Sequence, residues 1–447
     1  MATAAEQLGS RLNFGAFDKA KELKQRLLFT LGALIVYRLG TFIPIPGIDP
    51  TVIGDIFAQQ SGGILGVFDA FAGGALSRMS IFALNVIPYI SAAIIMQLMT
   101  AISPRFEAMK KEGESGRKKI NQYTRYLTVF LAVIQAYGLS VGLESLNSSQ
   151  GAAVADPGLF FRASTVITIV GGTMFLMWLG EQITARGVGN GISLIIFSGI
   201  VANLPTALAS TLELGRTGAL PVLVIVAFLL MAVAVIAIIV YFERAQRRII
   251  VQYPKRQVGN RMFGGEASHI PLKLNTSGVI PIIFATSILL TPASIAGFSG
   301  GGGNNTLGLI TSYLGRGQPG FMIVFALLIA FFAFFYTAIV FNPAETADNL
   351  KKNGGFVPGI RPGKNTADYF DYVLSRLTVV GATYLVAVAL LPEILISRFS
   401  LPFFFGGTSL LIVVVVSMDT VAQIQSHLLA HQYEGLIRKA KLKGRRG

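Results

Sequence analysis

The sequence contains no cysteine, and it has only three histidines and one tryptophan. Without cysteine, the chain cannot form a disulfide framework, use a thiolate nucleophile, or bind an iron–sulfur cluster through thiolates. His427 and His431 are one helical turn apart, but only Glu434 lies near them as a further ligand, so we expect no metal site. The composition therefore excludes thiol redox chemistry, and we expect no cofactor.

Charged side chains are also scarce, at 13% of the chain, whereas 53% of its residues are hydrophobic and its mean hydropathy is +0.63. A soluble domain could not bury that share of apolar residues in one core, which predicts a chain dissolved in lipid. Stretches that approach the ~20 residues needed to cross a bilayer predict an all-α protein with ten transmembrane helices. They lie near residues 27–43, 76–100, 123–143, 159–180, 190–209, 219–242, 276–296, 320–341, 373–391 and 403–424.

The charges that remain are asymmetric. The net charge is +15, and with the N-terminus inside, most Lys and Arg residues fall in the inner segments. The outer loops then hold only Arg162, Arg216, Arg316 and Arg398. Because positively charged loops stay on the cytoplasmic side, both termini are predicted to be cytoplasmic.

The order of the spans predicts two halves of five helices each, at 27–210 and 219–426. Halves of opposite orientation are typical of inverted-repeat proteins that enclose a central path. Coincidence remains an alternative, because the halves share no clear sequence identity. Residues 1–26 precede the first half as an amphipathic segment or a mobile basic tail, and a basic tail at 427–447 follows the second.

Three connecting segments stand out. The inner loops near 243–275 and 342–372 are long and basic, which favours docking surfaces on the cytoplasmic face. Residues 61–75 are apolar and rich in glycine, but too short to cross the bilayer. We expect this segment to fold back inside the bundle, where protein covers its backbone; an external loop on the surface is the alternative.

Motifs for catalysis are missing. Gly363 and Lys364 resemble the end of a phosphate-binding loop, but Pro358 and Asn365 stand where that motif needs glycine and a hydroxyl residue. The glycines at 187–191 lack the spacing of a dinucleotide site. The sequence therefore predicts a protein that is not an enzyme.

Ion-coupled transport would need ionisable groups deep in the membrane. Arg38, Arg78, Arg376, Glu393 and Asp419 all fall near predicted span ends, where anchoring at the interface explains them. The second span instead carries small and polar residues, and Asn275 and Thr276 open the seventh. A secondary transporter for a small solute remains the rival interpretation, and it requires a polar site at mid-membrane.

Three long stretches resemble the SecY family, the channel subunits of the bacterial Sec protein translocase. They read IFALNVIPYISAAIIMQLM at 81–99, WLGEQITARGVGNGISLIIF at 178–197 and FNPAETADNLKKNGGFVPGIRPG at 341–363. The resemblance covers nearly the whole chain. One departure is Asn85, where the family usually has glycine.

The resemblance implies a clam-shell of two five-helix halves around an hourglass pore. It also implies a constriction of six aliphatic side chains, at Val86, Ile90, Ile192, Ile196, Ile283 and Ile412. The glycine-rich segment near 62–76 matches the plug that closes this ring from outside. Its expected residues are Gly62, Gly63, Ile64, Leu65, Gly66, Val67, Phe68, Asp69, Ala70 and Phe71.

The family also implies a lateral gate, through which signal sequences reach lipid, between spans two and three and spans seven and eight. Residues expected there are Asn85, Ser91, Gln135, Asn275 and Thr276, and we hypothesise that they weaken gate closure. Replacing Asn275 and Ser91 with leucine should then raise the hydrophobicity that a signal sequence needs.

The partners implied are SecE and SecG, the SecA ATPase or a translating ribosome as motor, nascent polypeptides with their signal sequences, and lipid, but no DNA. The motor is expected to dock at Lys255, Arg256, Arg261 and Arg361. Basic side chains there can meet carboxylates or ribosomal RNA phosphates. The location implied is the bacterial inner membrane.

Overall fold

The chain folds mainly into α-helices. The computed structural model describes residues 21–49, 51–55, 66, 69, 71–145, 147–148, 151–218, 221–253, 256–258, 261–263, 267–298, 318–399 and 406–443. The helices described are α1 Lys21–Gly40, α2 Ile87–Ile102, α3 Pro104–Lys111, α4 Glu114–Ser145, α5 Leu159–Arg186, α6 Gly191–Arg216, α7 Val222–Arg244, α8 Ile280–Phe298, α9 Pro319–Val340, α10 Pro343–Lys352, α11 Lys364–Phe399 and α12 Gly407–Lys443.

Each predicted span overlaps one of these helices. Within the described ranges, seven helices are long and apolar enough to cross a membrane, or eight if α2 and α3 form one bent span. The axes of α2 and α3 differ by 96°. The bend follows from Ser103, which is extended before Pro104 because proline disfavours a helical residue ahead of it. The count of ten spans stays a prediction.

The second predicted span begins later than expected. The sequence placed it from residue 76, but α2 starts at Ile87. Residues 73–86 instead form mostly buried turns, in which Met79 and Asn85 have φ angles of 43° and 50°. Hydrogen bonds within the turns and to residues 43–45 satisfy much of this backbone, such as Ile45 N to Met79 O at 2.9 Å. Apolar composition alone could not reveal turns at this depth.

Short β-sheets depart from the all-α expectation. The strands described are β1 Asn147–Ser148, β2 Gly151–Ala152, β3 Gln246–Gln252, β4 Arg256–Val258, β5 Arg261–Phe263 and β6 Ala267–Lys273. They form antiparallel pairs, β1 with β2, β3 with β6 and β4 with β5. Ile249 and Val251 are buried while Ile250 between them is exposed, the alternation that a strand with one covered face requires.

Helix packing brings both predicted halves into contact. Helix α8 contacts α2 and α4 from the first half, as well as its neighbour α9. Elsewhere α12 contacts α6, α7 and α11, and α1 contacts α5 and α6. One large apolar cluster runs through the helices on both sides of these contacts. This cluster is where the expected pore residues lie.

Candidate pore, plug and gate

Six aliphatic side chains from four parts of the chain meet in that apolar cluster. Val86 precedes α2 and Ile90 lies on it, Ile192 and Ile196 lie on α6, Ile283 on α8 and Ile412 on α12. Five of them are buried, between Ile412 at 0% exposure and Ile90 and Ile283 at 7%, and the half-buried Ile192 packs against the cluster. The structure therefore places five of the expected ring residues in one apolar cluster and the sixth against it, while the ring itself stays a prediction.

Local sequence explains how α6 presents its two isoleucines. The Asn190 side chain accepts hydrogen bonds from the backbone N–H groups of Ile192 and Ser193, which caps the start of the helix. Gly191 lies so close to α5 that a Cβ there would overlap the carbonyl oxygen of Gly180. The glycine turn thus lets α5 and α6 approach closely, and Ile192 and Ile196 follow on one helix face.

The expected plug is described only in part. Gly62, Gly63, Ile64, Leu65, Val67, Phe68 and Ala70 lie outside the described residues. Gly66 and Phe71 are buried, and Phe71 belongs to the same apolar cluster as the ring. Asp69 accepts a hydrogen bond from the Ser77 backbone N–H at 2.8 Å, which holds the turn that follows. The described end of the segment therefore reaches the apolar cluster that contains the expected ring residues.

Asn85, expected at the gate, is 2% exposed and faces this same segment. Its Nδ2 donates to the Phe71 carbonyl at 2.9 Å, while its Oδ1 is buried without a partner. Its left-handed backbone, with φ at 50°, suits glycine and, among larger residues, asparagine. This conformation accounts for asparagine at a position where the resemblance leads us to expect glycine.

The seam between α8 and the pair α2 and α4 carries polar side chains. Ser91 Oγ on α2 and Gln135 Nε2 on α4 are buried with no hydrogen-bond partner. On α8, the hydroxyls of Thr286 and Ser287 donate to carbonyls of their own helix, including that of Ile283 at 2.9 and 2.8 Å. Sequence reasoning missed both hydroxyl residues, although they follow a ring residue by one turn.

Asn275 and Thr276 lie in the turn between β6 and α8. Asn275 Nδ2 donates to Glu243 Oε1 at 2.7 Å and to the Gly278 carbonyl at 3.1 Å, and its Oδ1 accepts from Ser277 Oγ at 2.9 Å. Thr276 is half-buried, and its hydroxyl donates to the Lys273 carbonyl. Asn275 therefore ties the start of α8 to the end of α7.

The two long loops form one unit with its own apolar core. Gln252 of β3 and Phe356 exchange backbone hydrogen bonds of 2.9 and 3.0 Å. Behind this bridge, apolar side chains from β3, β6, α10 and α11 pack together, including Val251, Leu350 and Phe370. The sequence predicts the two loops but not their contact, because no local pattern reveals pairing between residues that are so distant in the chain.

The residues expected to dock a motor are distributed around this unit. Arg361 is exposed in the turn before α11. Arg256 and Arg261 lie in the paired strands β4 and β5, and Lys255 lies outside the described residues. The structure thus places three of the four on the joined loops.

A family model described as SecY matches residues 80–421. The protein translocase subunit SecY of Escherichia coli K12 is 56% identical over 433 residues, which cover 96% of this chain and 98% of that one. The chain belongs to the SecY family. Its counterpart in Rickettsia conorii is 56% identical over 422 residues, 94% of this chain and 97% of the relative.

Solved structures share the SecY fold at low sequence identity. A protein-conducting channel matches with a TM-score of 0.65 and 17% identity, over 91% of this chain and 92% of that one. Sec61 in a canine ribosome–channel complex matches with a TM-score of 0.61 and the same identity and coverage. The SecY family consists of channel subunits that cross the membrane several times. Membership confirms the family predicted from sequence and disfavours the rival interpretation of a solute transporter.

Proposed function

We propose that this chain is the protein-conducting channel of a bacterial Sec translocase, and that it passes unfolded secretory polypeptides across the inner membrane. The observation that supports the proposal is that five of the six expected ring side chains lie in one apolar cluster, with Ile192 packed against it and Phe71 of the glycine-rich end inside it. A narrow apolar constriction holds no stable file of water, so it resists ions when idle. Flexible aliphatic walls can still close around a passing chain.

The proposed architecture has ten spans in two halves of five, residues 27–210 and 219–426, around an hourglass pore. The predicted charge asymmetry supports cytoplasmic termini and an inner-membrane location. Residues 62–76 serve as the plug, and the buried packing of Phe71 in the ring cluster supports this role. A solved SecY structure is described as one in which the plug domain stabilises the closed channel.

The lateral gate is the seam where α8 meets α2 and α4. Ser91 and Gln135 place unpartnered polar atoms on the two first-half helices of this seam. A buried polar atom without a partner costs about 1–3 kcal/mol, which weakens the closed seam. An apolar signal helix that reaches lipid through the gate can offset the cost of opening.

The joined cytoplasmic loops are the proposed docking surface for the driving partner, SecA or a ribosome. Arg361 is exposed on this surface, and β6 leads through Asn275 directly into α8. Force on the loops therefore has a short covalent path to the gate. Ribosome-bound relatives with the same fold are consistent with this use of the loops. SecE and SecG complete the proposed assembly.

Crosslinking tests the pore. Because the chain contains no cysteine, single cysteines at Ile90 and Ile283 report without background. A stalled secretory chain should crosslink to both, and not to a cysteine at Leu230, which is 67% exposed on α7. Equal crosslinking at Leu230, or none at the two ring positions, would falsify the proposed path.

A further inference from the structure

Three successive backbone carbonyls, in residues 71–73, each accept a hydrogen bond from a different side chain. We call residues 71–73 the anchor segment. The bonds are Asn85 Nδ2 to Phe71 O at 2.9 Å, Tyr37 Oη to Ala72 O at 3.2 Å and Arg38 Nη1 to Gly73 O at 2.6 Å. Two donors come from α1 and one from the turn before α2. The anchor segment is thus held by two separate parts of the chain.

Close packing leaves the anchor segment little freedom. A Cβ on Gly73 would lie 2.8 Å from Gly199 Cα on α6, and one on Gly199 would lie 2.7 Å from the Phe71 carbonyl oxygen. Tyr37 is fully buried, and its ring stacks on Phe82 with centroids 6.1 Å apart. The donors are therefore held in place around the segment.

Asn85 connects this segment to the pore. It directly precedes Val86, a ring residue that also marks the start of α2. The left-handed backbone of Asn85 turns its amide nitrogen toward Phe71 O and, at 3.5 Å, toward Tyr37 Oη. The Oδ1 atom of the same side chain is buried without a hydrogen-bond partner. The amide of Asn85 therefore holds the segment through its nitrogen but leaves its oxygen without a hydrogen bond.

We propose that Asn85, Tyr37 and Arg38 form a latch that keeps the anchor segment seated on the ring. Asn85 is the positioning residue that connects the anchor segment to the ring. This inference rests on the proposed pore and plug, and deepens them. Release of the latch frees three carbonyls and the amide group to meet water or substrate backbone. The unpartnered Oδ1 lowers the cost of that release, because hydration satisfies it only in the open state.

The test uses the complete translocase complex, reconstituted into a planar lipid bilayer, with the opening frequency of the idle channel as readout. Tyr37→Phe removes one donor and keeps the ring, so the ratio of open to closed states should rise roughly fivefold. Asn85→Asp keeps the size and tolerance of the left-handed backbone but turns oxygen toward oxygen. It should raise the ratio of open to closed states about tenfold or more.

Thr378→Val is the matched control, because it removes a buried hydroxyl on α11 that donates to the Leu374 carbonyl at 2.8 Å, away from the anchor segment. It should leave the idle channel unchanged, which separates the latch from general loosening of the fold. Unchanged idle opening in Tyr37→Phe would overturn the latch, and this variant decides the question if Asn85→Asp does not assemble. Failure of the unaltered complex to export any protein would instead reject the proposed function.

Discussion

Leucine at Asn275 and leucine at Ser91 are expected to shift the lateral gate in opposite directions. Asn275→Leu removes one hydrogen bond to the Glu243 carboxylate and two to neutral groups. A bond to a charged group contributes ~1.5–3 kcal/mol and a neutral one ~1 kcal/mol, a loss of roughly 3–5 kcal/mol. Burying the leucine side chain returns at most about 2 kcal/mol. The turn that ties α8 to α7 should weaken by about 2 kcal/mol.

Ser91→Leu is expected to stabilise the closed gate instead. Its hydroxyl has no partner in the closed seam, so its removal relieves a penalty of about 1–3 kcal/mol and adds apolar contact. The closed gate should gain about 1–2 kcal/mol. From the sequence we expected both substitutions to raise the hydrophobicity that a signal sequence needs. The hydrogen bonds of Asn275 reverse that expectation for Asn275→Leu.

The assay is export of a reporter carrying signal sequences of graded hydrophobicity. Asn275→Leu should lower the hydrophobicity needed for half-maximal export, and Ser91→Leu should raise it. Thr276→Val is the control, since it loses only one neutral hydrogen bond beside Asn275 and should stay within about 1 kcal/mol of the unaltered protein. Thresholds that move together in the two leucine variants would refute the assignment of these contacts.

Three further outcomes follow from the structure. Arg361→Glu should abolish motor-driven export yet leave insertion of membrane proteins intact, measured by parallel export and insertion assays; normal export would reject a docking role for this exposed residue. Leu350→Ala should destabilise the joined loops by about 2–5 kcal/mol, seen as faster proteolysis of the loops without more idle conductance. Gly407→Ala should lower the melting temperature of the complex, because its Cβ would overlap the Val388 carbonyl oxygen of α11; an unchanged melting temperature would contradict that contact.

The helices could be predicted locally, because long apolar stretches mark them. The ring residues were predicted from the resemblance to a family, since Ile283 and Ile412 carry no local signal. The structure places five of the six in one apolar cluster and Ile192 against it, and the ring itself stays a prediction.

The missed features depend on contacts between distant residues. The two backbone hydrogen bonds between Gln252 and Phe356 join loops about a hundred residues apart in the chain. No local sequence pattern near either residue predicts this pairing. In the sequence, Tyr37 looks like any other apolar residue of the first span. Its hydrogen bond to the Ala72 carbonyl depends on the turns at 73–86, where a continuous helix was expected. That replacement was hidden because glycine, alanine and leucine suit a span as well as a buried turn.

Unmet polar atoms concentrate where the proposed channel has to move. In the described part of the chain, six buried side-chain atoms have no partner, and four of them are Asn85 Oδ1, Ser91 Oγ, Gln97 Oε1 and Gln135 Nε2. These four lie just before α2, on α2 or on α4, the elements beside the proposed plug and gate, whereas the other two lie on α5 and α11. Each costs this packed arrangement about 1–3 kcal/mol, and each can be satisfied when water or a polypeptide backbone enters. We therefore expect opening at the proposed gate to cost less than the apolar packing alone suggests, so that an arriving signal helix has less free energy to supply.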